Sequence, residues 1–219
     1  MSVPTHSNLT SSSKPRLLLF PASLRRESHQ RRLIKYLAVR LADRCEIDIL
    51  QEVNLPLFNQ DLEQSELILN AVMDVHQRFN RADGVIAASP EYNGHVSPYL
   101  KNTLDWVSRL ARIDARYADI NPFRDKPLLL TSASTGWTGG ILGLKDARSI
   151  FTYLGNLVVA DQVCVSDADQ WVQGDTYQFE PAFAAHIERV VTEFVSLAER
   201  LRKNRPATNT RSADERASA

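Results

Sequence analysis

The chain has 219 residues, is 43% hydrophobic and 24% charged, and balances 26 basic against 26 acidic side chains. Those proportions exclude a mainly disordered chain, a collagen-like repeat and a disulfide scaffold, and zero net charge gives no footing for nucleic acid. No apolar run reaches membrane-spanning length, and a chain this long can bury a substantial core as one domain.

Residues 1–14 form a polar lead with no apolar segment of the signal-peptide kind. The first strand is expected at Arg16–Phe20, a short LLLF run. A helix then starts near Glu27 and Ser28, with Leu33, Ile34, Leu37, Ala38 and Leu41 on one face. Glu46–Leu50 alternates as a second strand. Ile68, Ala71, Val72, Val75 and Phe79 make a helix of Ser65–Arg81, and Gly84–Ala88 is a buried third strand. Val96–Arg112 is helical, with Ser97 and Pro98 suited to its cap and first position. Pro127–Thr131 is the fourth strand, and Gly140–Leu154 a helix closed by Gly155. Leu157–Val165 is the fifth strand, interrupted near Ala160–Gln162. Pro181–Leu201 is the last helix, and residues 203–219 form a polar tail.

Strand–helix alternation five times over predicts one α/β domain over residues 15–202, a three-layer sandwich around a five-stranded parallel sheet. Ligands of such sheets bind beyond the carboxyl ends of the strands. The loops after strands one, three and four therefore carry the functional reading.

The first of these, Pro21–Gln30, runs into a helix start, where unpaired amides favour an anion. Ser23 and Ser28 add hydroxyls and Arg25 a guanidinium suited to phosphate. Two readings stand side by side: a phosphate cradle, or a plain serine cap with solvated arginines. Neither GxGxxG nor a Walker A sequence is present. The second, Ser89–His95, places Pro90, Asn93 and Gly94 in a stiff turn beside Tyr92. It could meet the edge of a flat heteroaromatic ring or simply connect strand to helix. The third, Ser132–Gly140, holds three glycines and four hydroxyls, which permits close backbone approach to a ligand or serves only as a connection.

Cys45 and Cys164 are isolated thiols with no CxxC or Cys/His cluster, which fits a reducing cytoplasm and argues against a metal centre. His29 and His95 lie in the loops but have no nucleophile partner in any motif; GxSxG and HExxH are absent. His6, His76 and His186 read as tail or helix-surface residues. Tyr99, Trp106 and Leu110 form a second apolar stripe on the helix of residues 96–112. A partner subunit or the segment Asn54–Asp61 would cover it.

The first loop resembles the GSLRxxSxN phosphate loop of the NADPH-dependent FMN reductase family, which includes quinone, chromate and azo-dye reductases. Pro90-Glu91-Tyr92-Asn93-Gly94, followed by Leu100-Lys101-Asn102 and Asp105-Trp106, is similar to its PEYNG…LKNxxDW segment. Gly136–Gly140 with the helix through Arg148 to Gly155 is similar to its GxxGG segment. Ala22 stands where the family usually has Gly, and Gln30 where it usually has Asn. The resemblance implies a flavodoxin-like fold and non-covalent FMN. Ser23, Arg25, Ser28 and Gln30 would hold the phosphate; Pro90, Glu91, Tyr92, Asn93 and Gly94 would line the ring; Ser134, Thr135 and Gly136 would approach it from the other side. The implied activity passes hydride from NADPH or NADH through the flavin to a small quinone-like, azo, metal-oxyanion or flavin acceptor, with no side-chain acid or base assigned. The alternatives are a flavodoxin-type electron carrier and a non-catalytic regulator. The resemblance also implies a homodimer or homotetramer, formed through the helix of residues 96–112.

Overall fold

In a computed structural model, residues 14–204 are described. Five strands, β1 (Arg16–Pro21), β2 (Glu46–Ile49), β3 (Gly84–Ala88), β4 (Pro127–Ala133) and β5 (Leu157–Val165), build one sheet in the order β2-β1-β3-β4-β5. Every pairing in it is parallel. The helices are α1 (His29–Leu41), α2 (Glu66–Arg81), α3 (Pro98–Ile113), α4 (Ile141–Leu154) and α5 (Pro181–Asn204). The three-layer α/β sandwich expected from the alternation, and the flavodoxin-like fold implied by the resemblance, are therefore observed. Lys203 and Asn204, read as the start of the tail, continue α5. The rest of the tail, the lead up to residue 13 and His6 lie outside the described residues.

The period of two along each strand sends successive side chains to opposite layers. Leu17 and Leu19 pack with α1 and α5 through Leu33, Leu37, Ile187, Val191 and Phe194. Leu18 and Phe20, one residue out of phase, pack with α2, α3 and α4 through Phe79, Leu104 and Phe151. The chain reverses its direction of growth between β1 and β3, so a crevice opens beyond their carboxyl ends.

The irregularity expected in β5 is present. Val158 pairs with Leu128 and Gln162 with Leu130, so three residues of β5 face one of β4. The Arg148 guanidinium gathers the displaced carbonyls, donating to Val158, Val159 and Ala160 at 2.7–3.4 Å.

Two sequence expectations are corrected by packing. The stripe offered to a partner subunit is covered by the chain itself. Trp106 is 0% exposed, donates from Nε1 to the Pro56 carbonyl at 2.8 Å and meets the Phe58 ring edge-on. Leu110 is also buried, and the Tyr99 hydroxyl accepts from the Val53 amide. Asn102 fastens the same loop, accepting from the Phe58 amide and donating to the Pro56 carbonyl. That stripe is thus no ground for an oligomer. His76 is not on a helix surface: it is buried, with Tyr117 packed across its ring.

Candidate functional site

The three loops after β1, β3 and β4 are tied to one another by hydrogen bonds between segments far apart in sequence. The Ala22 amide donates to the Ala88 carbonyl at 2.8 Å, and the Ser97 hydroxyl donates to the Ala22 carbonyl at 2.8 Å. The Ser89 amide donates to Thr131. Gln30 closes the ring: its Nε2 donates to the Ala133 carbonyl at 2.7 Å, and its Oε1 accepts from the Ala133 amide at 3.2 Å. The amide of Gln30 therefore fastens loop one to loop three, rather than reaching the place where a phosphate was expected. Ala22 is buried and lies outside the left-handed region, so the missing glycine strains nothing.

Loop one ends in α1, whose cap is Ser28: its hydroxyl oxygen accepts from the Arg31 amide at 3.2 Å. Ser23 accepts from the Arg25 amide at 3.4 Å. Among the described residues, the backbone amides of Leu24, Arg26, Glu27, His29 and Gln30 have no acceptor, while that of Ser28 closes a turn at Arg26–Glu27. A run of unsatisfied N–H groups at a helix N-terminus is the donor set of an anion cradle. Arg25 is exposed beside it, and both serines retain a hydroxyl proton to donate. This cradle fits a phosphate monoester.

Loop two is a tight hairpin. Glu91 pairs with Val96 and Tyr92 with His95, and the two residues between, Asn93 and Gly94, have φ of 52° and 77°. Positive φ at both central positions is the Asn-Gly solution to a two-residue turn. Pro90 is buried beneath it, while Tyr92 and Asn93 are exposed at its tip.

Loop three leads into α4, whose cap position, Gly140, offers no side chain. The Glu91 carboxylate supplies the cap instead, accepting from the amides of Leu142 at 2.9 Å and Gly143 at 3.1 Å. A carboxylate at a helix N-terminus also complements its dipole. Glu91 thus positions loop two against loop three. A Cβ on Gly143 would press on the His95 carbonyl oxygen and the Glu91 backbone, so the hairpin's approach requires glycine here. Ser134 hydrogen-bonds to the end of β5, its amide donating to Val165 and its carbonyl accepting from Ala168. Thr135 and Gly136 are exposed.

Trp137, at the tip of loop three, is 84% exposed. Leu24, Tyr92, Ile141 and Leu142 are also exposed on the loops and helix start at this edge. The sequence reading did not single out this apolar rim, because only a folded chain shows which large side chains are left uncovered.

The titratable groups nearby are occupied. His29 Nδ1 lies 2.7 Å from the Tyr177 hydroxyl and its Nε2 lies 3.2 Å from the Asp169 carboxylate. Burial holds this imidazole below its ordinary value, against the opposing pull of Asp169. His95 Nδ1 contacts Asp146 at 2.6 Å. Burial pushes the Cys45 and Cys164 thiols up to about 11, so both are protonated and unreactive at neutral pH. Among the described residues, no group of three or more His, Cys, Asp or Glu could hold a metal. No described helix is long and apolar enough to cross a membrane.

A doubly wound parallel sheet, with an anion cradle and a hairpin meeting at its switch point, defines a mononucleotide-binding α/β protein. Residues 15–170 match the family described as NADPH-dependent FMN reductase, and the chain belongs to it. It is therefore an oxidoreductase that uses FMN with NAD(P)H as donor. A quinone reductase from Escherichia coli K12 is 30% identical over 149 residues, 68% of this chain and 75% of that one. An NADPH:quinone oxidoreductase from Arabidopsis thaliana is 41% identical over 86 residues, 39% of each chain. Among solved structures, the FerB flavoenzyme NAD(P)H:(acceptor) oxidoreductase from Paracoccus denitrificans superposes with a TM-score of 0.74 at 24% identity. The match covers 85% of this chain and 98% of that one, and it supports the fold.

Proposed function

We propose that this enzyme reduces planar, apolar acceptors of the quinone class, with FMN held across the three joined loops. The observation that carries the reading is the pairing of an unsatisfied amide cradle with an exposed apolar rim at one edge of the sheet. The amides of Leu24, Arg26, Glu27, His29 and Gln30, the Ser23 and Ser28 hydroxyls and the Arg25 guanidinium would hold the phosphate. The Pro90–Gly94 hairpin and Ser134–Gly136 would meet the ring from its two sides. Bound there, FMN supplies hydride-accepting and hydride-donating chemistry, and the protein supplies orientation and electrostatics.

The Glu91 oxygen Oε2 is held by two amides, His29 by Tyr177 and Asp169, and His95 by Asp146. Trp137, Tyr92, Ile141 and Leu142 would shield one face from water and offer apolar area to a flat acceptor. An inorganic oxyanion has no apolar face to place there. The quinone reductase names of several relatives agree with this choice.

The test is steady-state kinetics of the FMN-loaded protein with NADPH and NADH, against a benzoquinone, an azo dye and chromate. The expected result is parallel double-reciprocal lines, with kcat/KM for the quinone at least about 10-fold above that for chromate, the scale of one good apolar contact set. Equal or faster chromate reduction overturns the acceptor assignment. A protein that leaves the fluorescence of titrated FMN unchanged overturns the placement of the site.

A further inference from the structure

Arg31 lies one turn into α1 and folds its guanidinium back under loop one. Its Nε donates to the Arg25 carbonyl at 3.2 Å. Its terminal nitrogen donates to the Ser23 carbonyl at 3.4 Å and to the Glu52 carboxylate at 3.3 Å. Every described peptide bond is trans. In a trans peptide, the carbonyl of one residue and the N–H of the next point in opposite directions. Holding the carbonyls of Ser23 and Arg25 toward Arg31 therefore turns the N–H groups of Leu24 and Arg26 away from it. Those are two of the amides left without an acceptor.

We propose that Arg31 is a positioning residue for the phosphate of FMN: by grasping two alternate carbonyls from behind, it aims the Leu24 and Arg26 amides into the cradle. Glu52 holds the guanidinium in place and offsets its charge. The role belongs to the fork geometry of arginine, which can reach two carbonyls and a carboxylate at once. It also accounts for how a loop with Ala22 in place of glycine keeps its amides presented. The inference rests on reading this loop as the phosphate cradle.

FMN and riboflavin differ only in the phosphate, so the ratio of their dissociation constants isolates the cradle. Both are measured by quenching of flavin fluorescence on the full chain, with the melting temperature of each variant recorded alongside. Wild type is expected to favour FMN, and R31A to narrow the ratio by about 10-fold through weaker FMN binding, the scale of losing charge-assisted bonds. Riboflavin affinity should change less than about twofold, well under the value of one such bond. R31K keeps the positive charge but replaces the planar fork with a single nitrogen, and it should recover less than half of that loss. An unchanged ratio in R31A, equal weakening of both flavins, or full recovery by R31K overturns the positioning role. If R31A does not fold, R31K alone decides the matter by the same ratio. A wild type that binds riboflavin as tightly as FMN overturns the cradle reading itself.

Discussion

The two ends of the sheet solve the same problem in opposite ways. At the carboxyl edge, the approach to α1 leaves the amides of Leu24, Arg26, Glu27, His29 and Gln30 without acceptors among the described residues. At the amino edge, the end of α2 presents carbonyls, and the buried Lys126 ammonium gathers those of Phe79, Asn80 and Ala82. An open cavity of about 630 Å³ lies at this second end, between the C-terminal turns of α3 and α4. The proposed site rests on unsatisfied donors and not on empty volume.

The sharpest way to break that comparison is to damage the amino edge and watch the other. Lys126→Met leaves three buried carbonyls without their cation and should cost about 4 kcal/mol, lowering the melting temperature by about 10 °C. FMN affinity of the folded fraction should stay within about twofold, a change smaller than one hydrogen bond would make. A parallel loss of FMN affinity would mean that the two ends are not independent.

Acid gives a second, smaller probe of the same end. Burial pushes the His76 imidazole down to about 4, against the Ile120 carbonyl that Nε2 contacts and with a small added push from Lys126. The unfolded chain binds this proton below an ordinary value near 6.5, and the folded chain does not until about pH 4. Stability contributed by neutral His76 is therefore complete above pH 6.5 and is lost as pH falls toward 4, by about 3 kcal/mol in all. Urea unfolding of the wild type against His76→Phe should show the variant with a flatter dependence across that window. Identical slopes would remove His76 from the account.

Gly140→Ala tests the carboxyl edge with the smallest expected effect. The residue has φ of 86°, and a Cβ there would overlap the Ser132 hydroxyl. We expect about 2 kcal/mol of destabilisation together with reduced flavin content on purification. A loss of stability with full flavin content would separate loop three from the site.

Much of the fold was legible because its signals are local. The buried runs at Arg16–Phe20, Gly84–Ala88 and Pro127–Thr131 and the helical stripes between them required only periodicity, and the break in β5 showed as Ala160, Asp161 and Gln162 within an apolar run. The loops that would meet the ligand were also legible, since parallel topology sends them to one edge. Misreadings fell where a distant segment decided burial. Trp106 left two readings open, a partner surface or cover by Asn54–Asp61, and the second is the observed one, from a loop some fifty residues earlier. His76 looked exposed because Tyr117 and Ile120 come from beyond α3. The Gln30 side chain looked like a phosphate ligand because Ala133, which engages both ends of its amide group, joins it only through the sheet order.

The amino-acid sequence by itself determined the alternation of strands and helices and carried the family resemblance that implies the redox cofactor, since both rest on short runs and motifs with fixed spacing. The tertiary structure alone decided which polar groups remain unpaired. Whether an amide, a guanidinium or a carboxylate is available to a ligand depends on what packs behind it, as Arg31 packs behind loop one and Glu91 against α4. That is a property of through-space neighbours, and no window along the chain contains them.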